Sequence, residues 1–266
     1  MLGSGMRSVS IVVLLLLCAD SLGFAQGREA PSYSASTILN AASGLPEAFA
    51  PNSLVAIHGA GLSNGSVELD LAAVSEIPTV LIGSGTRVYI RNQLAGIIAA
   101  TPTQLLVLIP PNLLTGTGNL QVVVNGRAGP AVPIQVRAAA PAMFLRAEGL
   151  VAITREDGSD VTPERPAVAG ELVTFYATGL GPTRPAADGL VILKRQAPLT
   201  MALQVLVDGV ALEASAVEYA GVQMGSVGTY QVRCRLPSGT SELRDIRLLV
   251  DGQMSQEGVR VPVAVY

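Results

Sequence analysis

The stretch Pro51-Asn-Ser-Leu-Val-Ala-Ile-His-Gly-Ala-Gly-Leu-Ser63 returns 118 positions later as Ala169-Gly-Glu-Leu-Val-Thr-Phe-Tyr-Ala-Thr-Gly-Leu-Gly181. Each copy is a turn, then a strand alternating apolar and polar residues, then a Gly-Leu exit. A period of two sets one side of a strand against a core. Two matched copies about one small domain apart imply two similar modules in tandem. Further anchors extend the match. Gln104-Leu-Leu-Val-Leu-Ile-Pro110 answers Gln231-Val-Arg-Cys-Arg-Leu-Pro237, and Val124-Asn-Gly126 answers Val250-Asp-Gly252. The offset grows from 118 to about 127 between these anchors. That growth places an insertion of roughly nine residues in the second copy, near 220–228.

Around this repeat, short strands are expected at 67–71, 86–90, 94–99, 104–109, 119–125 and 131–137. In the second copy they are expected at 150–154, 171–178, 203–208, 212–219, 229–236, 245–251 and 259–265. Turns every eight to twelve residues, and no helical period, define an all-β chain of two tandem immunoglobulin-like β-sandwich domains. Asn125-Gly126 is a hairpin signal, because a tight type I′ turn needs positive φ at both central residues. The division is a flexible lead-in at 26–37, a first sandwich at 38–137, a linker at 138–144 and a second sandwich at 145–266. Small residues ending in Pro141 mark the linker, and its brevity implies that the modules lie close together.

Composition agrees with that class. The chain has 266 residues, enough for two cores, with 28 Gly, 17 Pro, no Trp and 14% charged residues. The net charge of −3, with no basic run, speaks against a nucleic-acid partner, because binding phosphate takes clustered Lys and Arg. Lys194 is the single lysine, and nothing physical explains that bias. Residues 1–25 form a signal peptide: Arg7 is the positive start, Val9 to Ala19 the apolar stretch, and Gly23-Phe-Ala25 the cleavage site. The apolar stretch is too short to span a bilayer, which takes about 20 helical residues. The mature chain is therefore expected to be exported, without a membrane span, to the periplasm, the cell surface or the medium.

Several of these residues resemble the Solibacter-type C-terminal module family. The resemblance rests on Ile38-Leu-Asn-Ala-Ala-Ser43, Ser53-Leu-Val-Ala-Ile-His-Gly59 and Thr101-Pro-Thr-Gln104. The second half adds Ala140-Pro-Ala-Met-Phe144, Asp157-Gly-Ser159, Phe175-Tyr-Ala-Thr-Gly-Leu-Gly-Pro182, Val227-Gly-Thr-Tyr-Gln231 and Pro237. It covers about 38–266 and implies a module of exported bacterial proteins, related in style to immunoglobulin-like IPT/TIG folds. It implies no catalytic residues. The chain departs from the pattern at Arg91-Asn-Gln93, where Val-Asn-Gly is usual, and at Leu106 and Leu108, which are polar in the family.

Those leucines make the strand 105–109 apolar on both sides. Either a loop covers the second side, or it packs on the second module or a partner chain. Leu106 and Leu108 are therefore named as a binding or packing surface, together with Val222, Gln223 and Met224 of the inserted loop. No catalytic, cofactor or metal-binding residues are assigned. His58 is the single histidine, and any hydrolase triad would have to be built on it. Cys234, alone after removal of Cys18, sits on the core side of its strand with Val232 and Leu236, while Arg233 and Arg235 face away. Glu156, Asp157 and Asp160 cluster in a turn without the alternation of a calcium loop. The expected function is a non-catalytic structural, adhesion or protein-binding unit with a protein or cell-surface partner. The alternative is a carbohydrate-binding module recognising a glycan, and the third reading is a hydrolase.

Overall fold

The computed structural model describes residues 29–146, 149–186, 190–237 and 242–264. The segment 1–25, expected to be a signal peptide, lies outside the described residues. The first module holds β1 (Ile38–Asn40), β2 (Leu54–His58), β3 (Val67–Glu68), β4 (Thr86–Ile90), β5 (Gln93–Leu94), β6 (Gly96–Ala100), β7 (Gln104–Leu108), β8 (Gly116–Val124), β9 (Arg127–Ala128) and β10 (Val132–Val136). The second holds β11 (Ala142–Met143), β12 (Ile153–Arg155), β13 (Leu172–Thr178), β14 (Ala197–Pro198), β15 (Leu203–Val207) and β16 (Val210–Ala211). It continues with β17 (Val217–Val222), β18 (Tyr230–Arg235), β19 (Leu243–Val250), β20 (Gln253–Met254) and β21 (Arg260–Pro262).

Each module is a pair of antiparallel sheets. In the first they run β1-β2-β7-β6-β3 and β10-β8-β4-β5, with β9 on β8. In the second they run β11-β13-β18-β17-β14 and β16-β15-β19-β20, with β12 on β13 and β21 on β19. The order β2-β7-β6-β3 thus reappears as β13-β18-β17-β14, so the duplication is one of topology as well as sequence.

Alternation fills the two cores. Val55, Ile57, Leu105, Val107, Val88 and Val122 meet inside the first module. Val173, Phe175, Val232, Cys234, Val205 and Leu248 do the same in the second. Four tight hairpin turns hold the strand ends: Arg91-Asn92, Asn125-Gly126, Asp208-Gly209 and Asp251-Gly252 all have positive φ. Asn and Asp tolerate that conformation and Gly has no steric penalty there, which is why Asn125-Gly126 was legible as a hairpin; Arg91 is the residue that this reason does not cover.

Four details differ from expectation. The described part of the lead-in, 29–37, is not a flexible run but packs on the first module: Tyr33 joins its core, and Ser32 and Ala60 exchange backbone hydrogen bonds. Residues 138–144 do not hang free: Ala139 and Met143 join the second core and β11 pairs with β13. The expected strand 212–219 is a 3-10 turn at Ala214–Ala216 followed by β17. The insertion is also split in two. Ala95 alone joins β5 to β6, whereas 212–216 join β16 to β17, and the loop 101–103 is answered by 223–229. The sequence anchors bracket both connections, so they register only the summed difference.

Candidate functional site at the seam between the modules

The first module's outer sheet face carries Leu54, Ile98, Leu106 and Leu108, and all four are buried in a third apolar cluster. The second module supplies Ala142, Phe144, Ala152 and Val227 to it, with Tyr176 packed alongside. A hydrogen-bonded relay crosses beside the cluster. The Leu54 amide donates to Thr178 Oγ1 at 3.1 Å, and that hydroxyl donates to the Gly228 carbonyl at 2.6 Å. Gly228 has φ +61, and a Cβ there would lie 2.6 Å from Leu54 Cγ and 2.9 Å from Leu108 Cδ1. Only glycine meets both demands. A second crossing joins loop to loop: the Ile77 amide donates to the Leu190 carbonyl at 2.7 Å and the Ile192 amide to the Ser75 carbonyl at 2.9 Å.

The five surface residues named from sequence therefore part company. Leu106 and Leu108 are sealed beneath the second module. Val222 is buried in the second module's own core, Gln223 is half-buried and Met224 is 47% exposed. The loop of Gln223 and Met224 does meet the leucines, but through Val227 and Gly228. Sequence reasoning missed Thr178 and Gly228, though Thr178 lies in the repeated strand segment and Gly228 in the stretch Val227–Gln231 quoted for the family resemblance.

Beside the seam a cleft of about 310 Å³ opens between the modules. Pro51, Asn52, Leu113 and Leu114 line it from the first module, and Pro182, Met201 and Tyr230 from the second. Its floor is fixed: Tyr230 OH donates to the Gly181 carbonyl at 2.8 Å and accepts from Asn52 Nδ2 at 3.3 Å. Burial pushes the Tyr230 phenol up to about 12, against the opposing pull of the Asn52 bond. The rim is fixed too. Arg91 NH1 donates to the Leu114 and Thr115 carbonyls at 2.7 and 2.8 Å, which leaves the Leu114 side chain 75% exposed. Arg91 itself lies across Gly118, where a Cβ would come within 2.0 Å of its Cγ.

The remaining sequence-marked groups do not converge. His58 is half-buried on the outer side of β2, with Gln104 Nε2 3.5 Å from its Nε2. Cys234 is wholly buried, and desolvation pushes its thiol up to about 12. Glu156 pairs with Arg233, Asp160 with Arg146, and Asp157 accepts from the Ser159 amide. Among the described residues no group of three His, Cys, Asp or Glu is placed to hold a metal. One pattern escaped the sequence reading: Gly61-Leu62-Ser63-Asn64-Gly65 has the spacing of a hydrolase nucleophile elbow. Ser63 is buried there and its hydroxyl donates to the Gly65 carbonyl at 2.7 Å rather than to a base. The spacing is that of a turn.

Three sheet edges are covered by the chain itself. The Asn40 amide of β1 donates to the Leu45 carbonyl, and the β14 carbonyl of Pro198 accepts from the Arg184 amide. On β10, Phe49 bonds Gln135 and Arg137, while Pro133 removes a donor from the strand. Lending an edge to a partner's strand is closed off at these places.

No protein-family model and no curated protein matches the chain. Among solved structures, a surface glycan-binding protein of Prevotella bryantii is similar at 15% identity and TM-score 0.29, over 85% of this chain and 41% of that one. A Bacteroides ovatus surface glycan-binding protein, solved with a mixed-linkage heptasaccharide, is similar at 11% identity and TM-score 0.33, over 82% and 44%. The γ-cyclodextrin glycosyltransferase of alkalophilic Bacillus clarkii is similar at 11% identity and TM-score 0.28, over 88% and 26%. This chain spans less than half the length of each. Likenesses of this size assign no residue of the cleft.

Proposed function

We propose that this chain is an exported, non-catalytic unit of the Solibacter-type module class that holds two β-sandwiches at one fixed angle and presents their shared seam to a partner. The observation that carries this reading is the third apolar cluster. Sandwiches joined as beads would keep polar outer faces, whereas here Leu54, Leu106 and Leu108 are buried in a cluster that the first module's own loop begins with Ile77 and the second module completes with Phe144, Ala152 and Val227. Two backbone crossings outside the linker add a second and a third attachment. No helix among the described residues is long and apolar enough to cross a membrane.

A second reading, recognition of a glycan, attaches to the cleft, because it is concave, shared by both modules and held at floor and rim. None of the aromatic side chains described is exposed, so sugar contacts there would be hydrogen bonds with exposed groups such as Thr115 rather than ring stacking.

Small-angle scattering of chain 26–266, paired with calorimetric titration against soluble cell-surface polysaccharides, tests both. The fixed-angle unit requires that one conformer fit the scattering curve; a curve needing many module separations sinks it. Heat of binding that disappears in Thr183→Trp, which fills the cleft, establishes the glycan reading.

A further inference from the structure

The duplication sets Arg233 and Arg235 at the positions of Leu106 and Leu108. The register is the same in both modules: Leu54 faces Leu108 and His58 faces Gln104, while Leu172 faces Arg235 and Tyr176 faces Gln231. The residues between them, Leu105 and Val107 or Val232 and Cys234, point into each module's own core. One outer face thus exists twice. In the first module it is apolar and covered. In the second, Arg235 pairs with Glu218 at 2.6 Å, and Arg233 with Glu156 at 3.2 Å. The arginine side chains remain 33% and 53% exposed, respectively for Arg233 and Arg235.

We infer that Arg233 and Arg235 act as a stop, keeping a second copy of this chain off the one sheet face that the fold otherwise prepares for docking. A sheet face with leucines at both positions, left uncovered, is a contiguous apolar surface of the kind that associates. Guanidinium groups there must be stripped of water before any sheet can cover them, and the local carboxylates already occupy their best partners. The difference between stacking and stopping is therefore carried by the two arginines of β18 and by Glu218, which stands at the β17 bulge where β6 has the buried Ile98. This inference concerns self-association and is independent of what binds at the seam.

The test is analytical ultracentrifugation of Arg233→Leu/Arg235→Leu in chain 26–266 over a dilution series, with circular dichroism to confirm β structure. Wild type is expected at monomer mass throughout, and the double variant is expected to double in mass as concentration rises. A folded double variant that stays monomeric overturns the inference. If the double variant does not fold, Arg235→Leu alone, at the more exposed position, is decisive in the same way. Wild type that dimerises, with cross-links joining Glu156 or Glu218 of the two copies, also overturns it.

Discussion

At Gly228 two requirements coincide: a left-handed backbone and a neighbour with no room for a Cβ. Gly228→Ala is expected to destabilise the chain by about 2 kcal/mol or more, combining backbone strain with overpacking; denaturant midpoints measure it. Tyr33 works differently. Its hydroxyl donates to the Pro130 carbonyl at 2.6 Å and accepts from the Val122 amide at 2.7 Å. Tyr33→Phe leaves a buried amide unpaired, so a loss of about 1–3 kcal/mol is expected by the same measurement. Cys234 carries a pH signature. Its thiol holds the proton more tightly folded, at about 12, than at its ordinary 9.0. That contribution to stability is complete below pH 9 and drains as pH rises from 9 towards 12. Thermal midpoints are expected to fall across that range, and Cys234→Val is expected to flatten the fall; an unchanged slope would contradict the assignment, since the phenols of Tyr33, Tyr219 and Tyr230, also pushed up by burial, would then account for it.

Among the elements, the strands were legible because alternation records one buried side, and the hairpins because Asn-Gly and Asp-Gly announce positive φ. Arg91-Asn92 is the exception that geometry explains. An arginine accepts φ +48 while its side chain crosses Gly118 and clamps two carbonyls. Arg91→Ala is expected to speed amide exchange at 114–116 while costing about 1 kcal/mol, the usual scale of a hydrogen bond. Less was legible at the seam. The doubly apolar strand 105–109 showed that its second side was covered but left the cover open, because periodicity reports burial and carries no information about the neighbour. The loop-to-loop crossing of 75–77 with 190–192 has no periodicity at all, and neither does the cleft that depends on it.

For the whole molecule, the shared cluster ties the two sandwiches into one cooperative unit. Leu106→Arg/Leu108→Glu places charge in that cluster, with an expected loss of several kcal/mol given about 2–5 kcal/mol for truncating one buried leucine. Calorimetry is expected to show one transition for wild type and two for the variant, one per module. Two transitions already present in wild type would show that the modules melt independently.

The exchange of leucine for arginine between the repeats also bears on the order of the halves. A chain in which one half replaced the other shows why. A chain ending in a copy of the first module would leave its leucine-bearing face bare. One beginning with a copy of the second would press paired charges against the apolar side of its neighbour. Solvation opposes both arrangements, so the order of the halves is set by the chemistry of a few face residues rather than by the fold they share.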